Sequence, residues 1–217
     1  MRARQKRYLV GIDEAGRGPL AGPVSVAAVA VMSRSNLDNK NTSPALVQST
    51  ALVQSRAGLR DSKKLTAKKR EEWWKWLKQK QKNNQLKFAV SLVGEKIIDR
   101  EGIVPAVRVG IRRCLKRLDL KPKQCQVLLD GSLVAPKIYR NQKTIIRGDE
   151  KIPIIMLASI LAKVTRDRRM VKLAKVYPNY GLEIHKGYGT RAHYRALHQH
   201  GLSPLHRRSF LTKFARR

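Results

Sequence analysis

The chain has 217 residues, and 47 Lys+Arg against 15 Asp+Glu give a formal net charge of +32. Hydrophobic residues make up 42%, enough for a packed core, which excludes a wholly disordered basic tail. The charge calls for a polyanionic partner, with nucleic acid ahead of an anionic membrane surface.

Two cysteines, Cys114 and Cys125, show no CxxC spacing and suit neither a disulfide framework nor a zinc site. Their sparseness fits a reducing, cytoplasmic setting. No apolar run reaches the roughly 18–20 residues a membrane helix needs. Asp13, Glu14 and Arg17 interrupt the stretch that a signal peptide would keep uncharged.

Arg7 to Ile12 reads as a short apolar strand running into Asp13-Glu14, and Gly16-Arg17-Gly18-Pro19 then breaks it. Val24 to Met32 reads as a second, buried strand. Ser33 to Gly58 is polar and reads as a surface loop, in which Ala45-Leu46-Val47-Gln48-Ser49 recurs as Ala51-Leu52-Val53-Gln54-Ser55. One repetition is too little for a solenoid and suits a local duplication in a tolerant loop. Thr66 to Lys82 predicts a helix with Thr66 as its N-cap. Phe88 to Val93 predicts a strand, and Val104 to Leu118 a helix that tolerates Pro105 in its first turn. Gln126 to Leu129 and Lys143 to Ile146 are short strands. Ile152 to Val176 is strongly helical after Pro153, and Thr190 to His200 is a last helix closed by Gly201. The pattern is an α/β domain, one unit over 1–217 with a short basic tail after 210.

In a chain so short of acids, their positions are informative. Asp13-Glu14 ends an apolar strand, where the chain bends and both carboxylates can converge on one cation; an exposed acidic turn is the alternative. Asp130 ends the run Val127-Leu128-Leu129, although Asp-Gly after a strand also suits a hairpin turn. Asp167 shares a helix face with Ile160 and Val164, so its carboxylate falls at the margin of an apolar stripe. A carboxylate there needs a counter-ion or a metal, and an ion pair with Arg166, Arg168 or another segment is the plainer reading. Four carboxylates from separate segments suit a two-metal site for hard cations such as Mg²⁺ or Mn²⁺.

The segment Gly11-Ile12-Asp13-Glu14-Ala15-Gly16-Arg17-Gly18-Pro19-Leu20-Ala21-Gly22-Pro23-Val24 resembles the opening signature of the ribonuclease HII family, the type 2 ribonucleases H. Asp61-Ser62-Lys63-Lys64-Leu65, Leu129-Asp130-Gly131 and Arg147-Gly148-Asp149 follow in the family's order. Ala158-Ser159-Ile160-Leu161-Ala162-Lys163-Val164-Thr165-Arg166-Asp167, His185-Lys186-Gly187-Tyr188-Gly189-Thr190 and His206-Arg207-Arg208-Ser209-Phe210 complete it.

The resemblance implies an RNase H-like fold, a central mixed sheet flanked by helices. It implies endonucleolytic cleavage of the RNA strand of RNA·DNA hybrids, with 3′-hydroxyl and 5′-phosphate ends. It also implies incision 5′ to single ribonucleotides embedded in duplex DNA, as in ribonucleotide excision repair. Asp13, Glu14, Asp130 and Asp167 match the family's four acids, with Mg²⁺ or Mn²⁺ as cofactor in a two-metal site. Gly16, Arg17 and Gly18 match its loop at the ribose 2′-hydroxyl, and Tyr188 its tyrosine at the RNA–DNA junction. The 2′-hydroxyl is what distinguishes RNA from DNA, glycines allow close backbone approach, and a tyrosine offers a flat face with a polar tip. Ser62, Lys63 and Lys186 are further substrate-contact candidates. A monomer without a membrane role is expected, and no clamp-docking motif stands out in the tail.

The sequence departs from the family in its basicity, in a long loop at about 33–58, in Leu157 where alanine is common, and in lacking an asparagine between Glu95 and Val104. Trp73, Trp76 and Leu77 read as a core stripe with Trp74 as the exposed member; a base-stacking platform is the alternative. His198 and His200 do not share a helix face, and His185 and His193 are placed near substrate without a role. Two rival readings are a non-catalytic basic RNA-binding protein and a ribonuclease HIII-like nuclease. The second is disfavoured by Asp167, where that family uses glutamate, and by the short stretch before the first strand, where that family usually carries an extra domain.

Overall fold

The computed structural model describes residues 7–33, 65–212 and 214. The loop expected at 33–58, its repeat, and the candidates Ser62 and Lys63 lie outside the described residues, apart from Ser33.

Five strands form one sheet: β1 (Arg7–Ala15), β2 (Val24–Ser33), β3 (Lys87–Val93), β4 (Cys125–Asp130) and β5 (Gln142–Ile145). Their order is β3-β2-β1-β4-β5. β1, β2 and β3 pair antiparallel, and β4 and β5 add on parallel to β1. This is a mixed sheet, as the sequence resemblance leads one to expect. Asp130-Gly131 is therefore no hairpin turn: it ends β4, and the chain crosses over to lay β5 parallel beside it. Ile146, expected in the last strand, lies outside it and is 75% exposed.

The helices are α1 (Ala67–Lys82), α2 (Glu95–Glu101), α3 (Ile103–Leu118), α4 (Gly148–Lys151), α5 (Pro153–Val176), α6 (Leu182–His185) and α7 (Arg191–His200). Thr66 caps α1 by accepting from the Lys69 amide, and Thr190 caps α7 through the His193 amide. The short helices α2, α4 and α6 carry too few turns to show a period, so the sequence reading missed them.

Strand alternation sorts the core. Val10, Ile12, Val26, Val127 and Leu129 pack on Val107, Ile111 and Cys114 of α3. On the other face Leu9, Ala27, Val29 and Leu128 pack on Ile154, Leu157, Ile160 and Val164 of α5. Leu157 is fully buried there, so its departure from alanine adds core volume. Gly11 permits the close packing, since a Cβ on it would meet the Ile154 carbonyl oxygen at 2.5 Å. α1 closes that face with Trp73 and Leu77, both buried. Trp76 meets Trp73 edge-on with centroids 5.1 Å apart. Trp74, expected to be exposed, is half-buried because the Arg168 guanidinium lies 3.7 Å above its ring.

α5 has 24 residues, about 36 Å at 1.5 Å per residue, and outruns the sheet. Its last turns pack Met170 and Leu173 into a separate cluster with Leu20, Tyr180, Leu182, Leu197 and Leu205. That cluster ties the loop after β1 to the C-terminal segments. No described helix is long and apolar enough to cross a membrane.

Candidate active site

The parallel strands β1 and β4 both end at the same edge of the sheet, where β1 carries Asp13 and Glu14 just before its last residue, Ala15, and β4 ends on Asp130. Asp13 is 4% exposed and shares its face of β1 with Leu9, toward α5, where its carboxylate is hydrogen-bonded to the side chain of Ser159. Burial, then the charges of Glu14 and Asp130, push its carboxyl well above the usual carboxylate range. Burial also raises Glu14, against the opposing pull of Arg17, whose Nη1 lies 3.3 Å from Glu14 Oε1. Asp130 Oδ1 accepts from the amides of Gly148 (2.7 Å) and Asp149 (3.3 Å), the first turn of α4. Gly148 is thus what aims Asp130.

Asp13, Glu14 and Asp130 lie within electrostatic reach of one another. Asp167, from the middle of α5, pairs with Lys163 Nζ at 2.9 Å, one helical turn back. This is an ion pair with a residue the sequence reading did not name; Arg168 instead pairs with Glu71. Among the described residues, no three His, Cys, Asp or Glu side chains close into a ligand cage. Two observations nevertheless fit a hard cation at this edge. Glu14 Oε2 is buried and has no hydrogen-bond partner, and the three mutually repelling carboxylates are short of positive charge.

A cavity of about 420 Å³ opens beside the acids, lined by Glu14, Ala15, Gly16, Arg17, Gly18, Arg70, Ser159, Ile160, Lys163 and Tyr188. The structure thus brings together Glu14, the Gly16–Gly18 turn and Tyr188. Tyr188 is 43% exposed, with Lys163 Nζ and Arg166 Cζ at 6.0 Å and 5.7 Å from its ring centroid. Lys186 is not among the lining residues; its ammonium donates to the Glu183 carbonyl. Arg70, Ser159 and Lys163 are lining residues the sequence reading gave no role. Ser159 and Lys163 stood inside a quoted motif, but nothing in a linear motif says which helix face meets a cavity.

Two arginines behind this wall were missed as well. Arg166 and Arg207 are both fully buried. Arg166 donates to the carbonyls of Pro23 (3.0 Å) and Ala21 (3.2 Å). Arg207 donates to those of Gly22 (2.9 Å), Arg17 (2.8 Å) and Gly16 (2.7 Å). Burial, then the charge of Arg166, brings Arg207 down to about 9, so it remains cationic at neutral pH. Across a trans peptide, a carbonyl and the following N–H point in opposite directions. With the Gly16 and Arg17 carbonyls drawn onto Arg207, the Arg17 and Gly18 amides face away from it. The turn is tied further by Leu20 N to Gly187 O (2.8 Å) and Arg207 N to Leu20 O (2.7 Å). Three motifs far apart in sequence therefore form one hydrogen-bonded unit.

A family model described as Ribonuclease HII matches residues 10–213. The ribonuclease HII of Coxiella burnetii (strain Dugway 5J108-111) is 43% identical over 202 residues, covering 93% of this chain and 87% of that one. Among solved structures, the RNase HII complexed with PCNA from Archaeoglobus fulgidus matches with a TM-score of 0.63 at 24% identity, over 92% of this chain and 93% of that one. Bst-RNase HIII in complex with Mn²⁺ matches with a TM-score of 0.60 at 18% identity, over 97% of this chain and 71% of that one.

Proposed function

This chain belongs to the ribonuclease HII family and is a divalent-metal-dependent ribonuclease H endonuclease; from that premise we propose that a single catalytic domain incises duplex DNA 5′ to an embedded ribonucleotide. Asp13, Glu14, Asp130 and Asp167 would hold the metal, Mg²⁺ or Mn²⁺, which would supply charge stabilisation for phosphodiester cleavage. Water attacks the phosphorus on the 5′ side of the ribonucleotide and the bond to the preceding 3′-oxygen breaks, leaving a 3′-hydroxyl and a 5′-phosphate. Lys163 neutralises Asp167 in the metal-free protein.

The Gly16-Arg17-Gly18 turn selects the sugar. Its outward amides donate to the 2′-hydroxyl oxygen, which deoxyribose lacks. Tyr188 packs its exposed ring on the junction sugar, and Arg70 and Lys163 contact flanking phosphates. Ser62 and Lys63 contact the substrate from the segment before α1.

The observation that carries this reading is the adjacency of buried Asp13 and half-buried Glu14 to the cavity formed by the Gly16–Gly18 turn and Tyr188. The test is cleavage of a duplex carrying one ribonucleotide, with Mg²⁺, with Mn²⁺ and with chelator. Incision on the 5′ side that chelator abolishes is expected. Tight metal-independent binding without a cut would overturn the reading in favour of a basic binding protein.

A further inference from the structure

Beneath the Tyr188 loop lie three histidines that no step above uses. His193 is fully buried and His206 is 2% exposed. His185 stacks on His193, with centroids 4.4 Å apart and planes at 21°. Their contacts determine where each proton sits.

At one end, His206 Nδ1 lies 2.9 Å from the Ser203 amide, which can only donate. Nδ1 must therefore be bare, and in a neutral ring the proton is on Nε2. The Ser203 hydroxyl is also 2.9 Å from Nδ1, while its oxygen accepts from the Leu205 amide. At the other end, His193 Nδ1 lies 2.9 Å from the Tyr188 carbonyl, which can only accept. Nδ1 must carry the proton there, leaving Nε2 bare. The two Nε2 atoms face each other at 3.1 Å. The tautomers derived from opposite ends thus agree: His206 donates and His193 accepts.

We propose that His193 and His206 are positioning residues for substrate selection: a one-way hydrogen-bond chain from the Ser203 amide through both imidazoles fixes the main chain of Tyr188 where its ring meets the ribonucleotide. The proposal rests on the junction role of Tyr188 given above. His185 buttresses the chain. Its Nδ1 accepts from the Gly187 amide at 3.1 Å, so its Nε2 proton donates to the Tyr180 carbonyl at 2.7 Å. Burial and the neighbouring imidazoles hold His193 and His206 below the ordinary histidine range, in keeping with neutral rings. The same loop is joined to the Gly16–Pro23 turn by the Leu20 amide, which donates to the Gly187 carbonyl at 2.8 Å.

The test is a double-mutant cycle, with kcat/KM on a duplex carrying one embedded ribonucleotide as readout. His193→Leu removes the donor to Tyr188; His193→Asn keeps an amide N–H near the Nδ1 position. His193→Leu should lose about tenfold, the cost of one buried hydrogen bond, and His193→Asn should recover most of it. In a Tyr188→Ala background, His193→Leu should cost nothing further. An equal loss with and without the tyrosine ring overturns the positioning role and leaves the reading of Tyr188 standing. An unimpaired Tyr188→Ala overturns that reading and this proposal with it. Should His193→Leu not fold, imidazole ¹⁵N shifts of the wild-type protein still decide. Protons on His193 Nδ1 and His206 Nε2 are expected, and the reverse tautomers would overturn the chain.

Discussion

Arg207 Nη2 donates to the carbonyl of Gly16 at 2.7 Å, joining residues 191 positions apart. The bond gives a buried cation something to do. No carboxylate pairs with Arg207 among the described residues, and its charge is instead spread over three main-chain carbonyls. Those carbonyls belong to the turn whose amides face the other way, so the arginine both anchors the turn and presents its donors.

Replacing Arg207 should therefore be costly in a way its distance from the acids conceals. Arg207→Lys keeps the charge but cannot serve three carbonyls with the geometry of a planar fork. A loss of ~3 kcal/mol of stability is expected, the usual cost of breaking a buried charged network. Urea unfolding checks it, and a loss under ~1 kcal/mol would show the turn holds without its anchor.

The two glycines flanking Arg17 should behave oppositely. Gly16 has φ +91°, and a Cβ there would sit 1.9 Å from Arg166 Nε. Gly16→Ala should cost ~2–4 kcal/mol from backbone strain and overpacking together. A Cβ on Gly18 meets nothing within 4 Å. Gly18→Ala should fold with an unchanged melting temperature and lose activity only through close approach of substrate. Thermal melts of both variants test the contrast.

Asp13 should show a conflict between activity and stability. Burial and two nearby carboxylates already disfavour its charge. Asp13→Asn removes that repulsion and should stabilise the metal-free protein by ~0.5–2 kcal/mol. It should also reduce cleavage by at least ~10²-fold while hybrid binding in chelator stays near wild type. Retained turnover would remove Asp13 from the site.

Acid should weaken the histidine chain. Burial, then the neighbouring His193, lowers His206 from 6.5 to about 4. The folded state thus resists protonation that the unfolded chain accepts near pH 6.5. The contribution of His206 is fully present above that pH and is lost as pH falls toward 4, amounting to ~3 kcal/mol at the acid end. The raised carboxyl of Asp13 acts in the opposite sense over the same range, so the measurement is a difference. Wild-type stability minus that of His206→Gln should shrink between pH 7 and 4, and a flat difference would refute it.

Substrate binding should be strongly electrostatic. With a net charge of +32, a footprint of ~6–10 phosphate contacts predicts a ~10³–10⁵-fold loss of duplex affinity between 50 and 200 mM salt. Titrations in chelator at several salt concentrations give the slope, and a shallow one would mean most of the charge faces solvent elsewhere.

The fold class, the long elements and the motif residues were legible in the linear chain, because each rests on local physics. Thr66 caps the helix its side chain predicts, α5 begins at Pro153, and the apolar runs of β1, β2 and β4 are strands. An acid-poor chain that places Asp13-Glu14 at a strand end marks those carboxylates as candidates without any coordinates, with an exposed acidic turn as the alternative. Only packing in three dimensions decided the rest. That Asp130 ends a parallel strand rather than a hairpin depends on which strand lies beside it, and local turn chemistry does not encode that. That Arg166 and Arg207 are interior, and that Trp74 lies beneath Arg168, reverses what charge and helical spacing suggest. A buried guanidinium is tolerable only where distant carbonyls happen to gather around it. The histidine chain is of the same kind: its proton order follows from an amide at one end and a carbonyl at the other, brought together only by the folded C-terminal segments.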